Sequence, residues 1–201
     1  SFPWAEHAEK CPEIGAENPA YHGINVAERV GDAAFTYAAL ARGLRDLGNQ
    51  QSPFDAWQTM QGVETLPLRM DRHCENAMAV AEFLRGHPDV AWVTYPGLAD
   101  HETHDNASEY LDGGYGGMIS FGLADGYDAA KSFVNDAELA SLLANVGDAK
   151  TLVIHPASTT HQQLTDAEKQ AAGVTDDMVR LSVGIEDPAD ILADLDGALT
   201  G

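Results

Sequence analysis

Basic residues are scarce in this chain of 201 residues. Lysine and arginine together number 11 against 32 aspartates and glutamates, and the formal net charge is −21. The acids are spread along the chain instead of being gathered in a tail. Such a surface repels the phosphates of nucleic acids and of anionic membranes, so neither is an expected partner. Spread acids with few lysines are typical of proteins from salt-loving organisms; the alternative is an ordinary acidic protein.

Cysteine and long apolar runs are rare as well. Cys11 and Cys74 are two and far apart, which predicts neither a disulfide framework nor a zinc site. The pair His101 and His104 lacks a third ligand nearby, so no metal site is expected. No apolar run reaches the roughly 18 residues of a membrane-spanning helix, and the start lacks a basic-then-apolar signal. These absences favour a cytoplasmic protein.

Apolar periodicity predicts an α+β domain over residues 63–201. Helices are expected at about 68–84, 127–134, 165–173 and 189–199, and strands at about 90–95, 118–123, 142–143, 151–154 and 178–183. Residues 98–112 are polar and are expected to form a loop. Short connections between these elements favour helices on one face of a mostly antiparallel sheet.

Residues 1–62 form a separate part of the pattern. They begin irregularly and then show two helical stretches, at about 33–47 and 52–60, without a strand pattern. A helical segment without strands of its own is expected to be the tail of a preceding domain.

One arginine stands inside an apolar strand pattern. Arg180 lies within Met178–Val183, and the strand pattern before it, Thr151–Ile154, runs into a loop rich in hydroxyl groups. Arginine keeps its proton, so it needs an anionic partner, and its planar fork suits a carboxylate. The alternatives are a structural salt bridge, or an edge strand with the guanidinium in water.

Two histidines flank the loop after Ile154. His155 and His161 could form an acid–base pair. Because His155 directly follows an apolar strand and precedes Pro156, a structural histidine with satisfied hydrogen bonds is the favoured interpretation.

Several motifs carry a resemblance to a known family. Asn145-Val-Gly-Asp-Ala-Lys150 and His155-Pro-Ala-Ser-Thr-Thr-His161 are similar to the C-terminal region of the pyridoxal-phosphate (PLP) enzymes of cysteine and methionine metabolism. Cystathionine γ-synthase, cystathionine γ-lyase and methionine γ-lyase usually have a Ser-Leu-Gly sequence where this chain has Asn145-Val-Gly147. The Asn-Val-Gly form resembles the O-acetylhomoserine sulfhydrylase branch. The likeness covers essentially the whole chain, through Pro19–Gly23, Thr65–Met70 and Gly113–Phe121.

The resemblance implies a fold and a site. The fold would be the C-terminal domain of an aspartate-aminotransferase-like PLP enzyme, with residues 1–62 as the tail of its large PLP-binding domain. Arg180 would bind the substrate α-carboxylate, and Asn145 and Thr160 would contact that carboxylate or the substrate side chain. For Asn145 the alternative is a turn residue before Gly147, and for Thr160 an ordinary loop hydroxyl. The implied substrates are O-acetylhomoserine and sulfide, and the implied assembly is a homotetramer.

The cofactor lysine of the resembled family has no counterpart here. The family holds PLP on a lysine in a Ser-x-Thr-Lys context, and none of Lys10, Lys131, Lys150 and Lys169 stands in one. The chain therefore resembles the second half of a larger enzyme, without a catalytic residue of its own, and is expected neither to bind PLP nor to be active alone. The alternatives are a cystathionine γ-synthase, γ-lyase or methionine γ-lyase relative, and a non-catalytic acidic interaction domain.

The charge pattern predicts that salt stabilises the fold. Spread carboxylates repel one another at low ionic strength, where the Debye length is about 30 Å at 0.01 M, and are screened at 1 M, where it is about 3 Å. Thermal melts in KCl across this range are expected to show a rising midpoint. A flat or falling midpoint would contradict the salt-adapted interpretation.

Overall fold

Two units divide the chain in the computed structural model, which describes residues 2–201. The division falls between residues 61 and 62. The first unit contains the helices α1 (Pro12–Gly15), α2 (Val26–Val30) and α3 (Ala34–Ala38), the strands β1 (Glu17–Asn18) and β2 (Ile24–Asn25), and 3₁₀ turns at Trp4–His7, Pro19–Tyr21 and Gly31–Ala33. Helix α3 continues as a π-helical segment, Ala39–Asp46, and α4 (Pro53–Glu64) crosses the division.

The second unit contains five helices and five strands. They are α5 (Leu66–Gly86), β3 (Val90–Thr94), α6 (His104–Tyr110), β4 (Met118–Leu123), α7 (Tyr127–Asp136), β5 (Ser141–Leu142), β6 (Leu152–Ile154), α8 (Asp166–Ala171), β7 (Met178–Ser182) and α9 (Pro188–Thr200). A 3₁₀ turn, Pro156–Ser158, follows β6.

The second unit is organised by one sheet with the strand order β3-β4-β7-β6-β5. Three neighbouring pairs are antiparallel, and only β5 and β6 run parallel. Apolar side chains from one face, such as Phe121 and Leu181, form a buried cluster with α5, α7 and α9. Phe133 of α7 meets the Phe121 ring edge-on at 5.4 Å. The predicted α+β fold, with helices on one face of a mostly antiparallel sheet, is therefore confirmed.

Helix ends follow the capping signals of the sequence. Thr165 and Glu168 form a reciprocal capping box at the start of α8, and the Asp187 side chain accepts the Ala189 N–H at the start of α9. The hydrogen bonds that Thr165 donates lower the pKa of Glu168. The cap therefore contributes above the ordinary glutamate pKa and is lost as pH falls through the lowered value.

An aspartate of α9 fixes the segment before β5. Its carboxylate accepts three backbone N–H groups, from Glu138 at 2.7 Å, Leu139 at 2.8 Å and Ala140 at 3.0 Å. The acceptor is Asp194, at the middle of the helix. Because a carboxylate forms stronger hydrogen bonds than a neutral acceptor, this contact holds a segment that has no regular structure of its own.

Two predictions for the local structure are wrong. Residues 98–112 are not all loop, because α6 occupies His104–Tyr110, and none of its residues is buried, so it shows no apolar period. Residues 1–62 do contain strands, since Glu17 pairs with Asn25 and Asn18 with Ile24. Two-residue strands are too short to show the alternation by which strands are recognised.

Burial in the first unit is sparse. Its apolar cluster consists of Ile14, Ala34 and Ala38, with partly buried neighbours such as Trp4. Helix α4 has no buried residue, and Phe54, Trp57 and Met60 are 62%, 55% and 62% exposed. In many proteins, large apolar side chains that are exposed this close together form a surface that another polypeptide covers. Among the described residues, no helix is both long and apolar enough to cross a membrane.

The contrast in burial predicts a contrast in stability. Phe133 is 1% exposed, so Phe133→Ala is expected to lower the free energy of unfolding by about 3–5 kcal/mol. Trp57 is 55% exposed, and Trp57→Ser is expected to change it by less than about 0.5 kcal/mol. Urea denaturation of both variants measures the difference. A large loss for Trp57→Ser would show that α4 packs against the rest of the chain.

Candidate functional site

Arg180 lies at the centre of the sheet. Its strand, β7, is flanked by β4 and β6, and Arg180 pairs directly with Ser120 on one side and Ile154 on the other. Its neighbours Val179 and Leu181 point into the apolar core, so Arg180 stands on the opposite face, which the three core helices leave free. The side chain is half-buried.

The guanidinium of Arg180 has no anionic partner in the described part of the chain. No acidic side chain of residues 2–201 lies within 4.0 Å of it, and no hydrogen bond is made by its side chain there. The two structural alternatives, a salt bridge and an edge strand, are therefore not observed. A half-buried cation without an anionic partner inside the fold can bind the carboxylate of another molecule.

The loop that carries Asn145 lies on the same face as Arg180. The Gly147 N–H donates to the Ser182 hydroxyl at 3.2 Å, and Ser182 follows Arg180 by two residues, which puts both side chains on one face. Gly147 has a φ of +75°, a conformation that side chains disfavour. Asn145 is exposed, and its amide oxygen accepts the Val146 N–H at 2.9 Å. The fold thus brings Arg180 and the Asn145 loop to one face of the sheet.

Thr160 has no hydrogen bond to Arg180 or Asn145 among the described residues. It is exposed in the loop that follows the turn after β6, and its hydroxyl lies 2.8 Å from Nδ1 of His161.

His155 is a structural histidine, as the sequence favoured. It is 1% exposed, and both ring nitrogens have partners. Nε2 donates to the Asp176 carbonyl at 2.8 Å, so Nδ1 accepts from the Ser158 hydroxyl, also at 2.8 Å. The ring of Tyr127 meets it edge-on at 4.8 Å. With both nitrogens in use, His155 is not available for proton transfer with His161.

A model of one family matches most of the chain. The family is described as Cys/Met metabolism PLP-dependent enzyme, and the match spans residues 16–200. The chain belongs to this family.

Three members illustrate the similarity. The chain is 50% identical to a homocysteine synthase of Schizosaccharomyces pombe over 98% of its own length and 46% of that protein. It is 50% identical to an O-acetyl-L-homoserine sulfhydrylase of Leptospira meyeri, over 99% of its own length and 47% of that protein. A similar crystal structure, from Campylobacter jejuni, is described as a putative O-acetylhomoserine (thiol)-lyase with N'-pyridoxyl-lysine-5'-monophosphate. Its TM-score is 0.81 and its sequence identity 41%, over 92% of this chain and 44% of that one. The chain spans about half the length of the curated relatives it matches.

The family's cofactor does not fit the residues described here. A PLP site needs a lysine that forms an imine with the cofactor and donors that surround its phosphate and ring. Lys10, Lys131 and Lys150 are exposed, and Lys169 of α8 is half-exposed, so no lysine of the chain is enclosed. A cavity of about 430 Å³ in the first unit has a mainly apolar lining that includes Tyr37 and Leu40. Arg42 and Arg45 also line it, but no lysine does. The described residues instead present a guanidinium without an anionic partner, that of Arg180, and the loop beside it.

Sequence reasoning missed the residues that hold that loop. They are Ser182, Thr151 and Glu186. The period of two along β7 would have placed Ser182 beside Arg180. No local pattern joins Thr151 to Glu186, because 35 residues separate them.

The exposure of the four lysines predicts that this chain does not bind PLP covalently. After incubation with PLP and reduction with borohydride, mass spectrometry is expected to show at most scattered, substoichiometric labelling. The Campylobacter jejuni protein, whose structure contains N'-pyridoxyl-lysine-5'-monophosphate, serves as the positive control when treated alike. One stoichiometric adduct on a single lysine of this chain would contradict the prediction.

Proposed function

We propose that this chain supplies the substrate-carboxylate site of a PLP-dependent O-acetylhomoserine sulfhydrylase, which makes homocysteine from O-acetylhomoserine and sulfide. The observation that carries the proposal is the guanidinium of Arg180, which stands on an interior strand, half-buried, without an anionic partner among residues 2–201. An amino-acid substrate brings the carboxylate that this cation lacks.

The role of Arg180 is orientation. Bound PLP supplies the electron sink for the bond changes, and the protein holds the substrate so that the reacting bond is aligned with it. Two parallel N–H···O bonds from a guanidinium fix both the position and the plane of a carboxylate. Central strands of a packed sheet move little, so β7 is a suitable support for such a contact.

Asn145 and Thr160 are proposed as further contacts to the same substrate. Asn145 is favoured because its loop lies on the face of Arg180, through the bond from Gly147 to Ser182. Thr160 rests on the family resemblance alone, since its hydroxyl is exposed and bonded to His161.

The names of the relatives favour the sulfhydrylase over the other functions considered. Two curated relatives at 50% identity are a homocysteine synthase and an O-acetyl-L-homoserine sulfhydrylase. Neither is a cystathionine γ-synthase, a cystathionine γ-lyase or a methionine γ-lyase. A non-catalytic interaction domain leaves the unpaired Arg180 without an explanation.

We assign the remaining parts of the enzyme by comparison with the same relatives. We assign the cofactor lysine, the phosphate-binding loop and the contacts to the PLP ring to the half of the relatives that has no counterpart here. Residues 1–62 would be the tail of the large PLP-binding domain, and residues 63–201 the small domain. The exposed aromatic residues of α4 would be covered in that assembly. The full enzyme would be a cytoplasmic homotetramer.

A chimaera tests this function directly. In it, this chain replaces the aligned 47% of the Leptospira meyeri sulfhydrylase. The chimaera is expected to bind PLP and to convert O-acetylhomoserine and sulfide to homocysteine. In this background, Arg180→Lys is expected to lower kcat/KM by tens- to thousands-fold, since losing a largely desolvated, forked contact costs about 2–5 kcal/mol. PLP content is expected to stay normal.

Arg72→Lys is the matched control. Arg72 is an exposed arginine of α5 that pairs with Glu75 at 3.8 Å, so its replacement is expected to leave kcat/KM unchanged. A chimaera that binds PLP but lacks the activity would contradict the proposed function. If Arg180→Lys lowers the melting temperature while kcat/KM stays near that of the parent, Arg180 is a structural residue instead.

A further inference from the structure

We propose that Glu186 is a positioning residue that fixes the loop of residues 143–150 beside Arg180. The inference rests on the proposed function for its catalytic consequence, and on the hydrogen bonds of this chain for its structural part.

Glu186 binds one residue with both of its carboxylate oxygens. Oε1 accepts the Thr151 backbone N–H at 2.6 Å, and Oε2 accepts the Thr151 hydroxyl at 2.9 Å. Thr151 is completely buried and Glu186 is half-buried. Hydrogen bonds to an ionised carboxylate are about twice as strong as those between neutral groups, and here two of them converge on the residue before β6.

Two further hydrogen bonds join the C-terminal end of the loop to the segment that follows β7 and close the junction between them. The Thr151 hydroxyl accepts the Gly184 N–H at 2.9 Å, and the Ile185 N–H donates to the Ala149 carbonyl at 2.9 Å. The segments 149–151 and 184–186 are therefore joined from both sides.

Gly184 shows how closely the two segments meet. A Cβ atom at this position would lie 2.2 Å from the Glu186 Oε2 and 2.5 Å from both the Ala149 carbonyl oxygen and the Thr151 nitrogen. These separations are well below van der Waals contact, so the junction has no room for a side chain. A packed junction of this kind has one arrangement, and it sets where residues 149–151 leave the sheet.

The junction determines the position of the loop above the sheet. Two residues before Ala149, the Gly147 N–H reaches Ser182, the next residue after Arg180 on its face of β7. If the junction loosens, Gly147 and Asn145 shift relative to the guanidinium. Misplacing groups around a reacting substrate by about 1 Å costs up to roughly a hundredfold in rate even when the change lies outside the site.

The carboxylate of Glu186 acts as a hydrogen-bond acceptor for Thr151 and does not pair with a cation. Within the described residues, no lysine or arginine lies within 4.0 Å of it. Glutamine keeps one oxygen for the Thr151 N–H but presents an NH₂ group where the Thr151 hydroxyl must donate. The effect of Glu186→Gln is therefore expected to lie between those of the parent and of Glu186→Ala.

Asp194 offers a matched control. It is also a carboxylate that accepts backbone N–H groups, but those of Glu138, Leu139 and Ala140, which precede β5 and lie outside the loop. Its three hydrogen bonds include no residue of the junction, so we expect its removal to destabilise the fold and to leave the contacts of the junction in place.

The structural part is tested on this chain alone, by amide hydrogen exchange followed by NMR. Glu186→Ala is expected to lower the protection of the Gly147 and Ile185 amides by roughly tenfold, with a partial recovery in Glu186→Gln. Asp194→Ala is expected to lower protection at 138–140 and to leave Gly147 and Ile185 as in the parent. Unchanged protection of Gly147 and Ile185 in Glu186→Ala would overturn the inference.

The catalytic part is tested in the chimaera. Glu186→Ala is expected to raise KM for O-acetylhomoserine by roughly ten- to a hundredfold, with a smaller change in kcat and a partial rescue in Glu186→Gln. Asp194→Ala is expected to lower the melting temperature and leave KM within roughly twofold. Equal KM effects of the two alanine variants would overturn the positioning role. An inactive parent chimaera would count against the proposed function, and the exchange experiment would then decide the role of Glu186 by itself.

Discussion

The structure depends on one constraint: the permanently charged guanidinium of Arg180 must be accommodated in the middle of a sheet. Arginine stays protonated at any physiological pH, and Arg180 stands on β7 with a strand on either side. One face of that sheet is closed by α5, α7 and α9 around an apolar core, where a guanidinium could not be accommodated. The side chain therefore faces the other way, and its proposed role requires that face to stay accessible to the substrate carboxylate.

In the second unit, the elements around Arg180 leave its face of the sheet open and are themselves held by packing and hydrogen bonds. All three helices that cover the sheet pack on the face of Phe121 and Leu181, so the face of Arg180 remains free of them. The strand neighbour of Arg180 on one side is Ser120, which adds little bulk beside the guanidinium. The loop of residues 143–150 is held at its end by Glu186 and Thr151 and in its middle by Ser182. The site therefore consists of a charge on a fixed strand and a loop fixed to the same strand.

The sequence was sufficient for those features that depend on local patterns. The apolar period placed the long helix α5 and the strand β4, and the single charge in an apolar run singled out Arg180. It failed where the pattern is absent, as in α6, which buries nothing, and in the two-residue strands β1 and β2. It also could not place the loop, because the contacts that do so join Gly147 to Ser182 and Thr151 to Glu186 across 35 residues. Such contacts arise from strand order, which no local pattern specifies.

Whether Arg180 holds the substrate carboxylate can be seen in a crystal structure of the chimaera with an unreactive analogue of O-acetylhomoserine. Both carboxylate oxygens are expected to lie about 2.7–2.9 Å from nitrogens of the Arg180 guanidinium, in two parallel bonds. The loop of residues 143–150 is expected to keep its bond from Gly147 to Ser182. An analogue whose carboxylate binds elsewhere, with the guanidinium of Arg180 left in solvent, would show that Arg180 does not bind the substrate carboxylate.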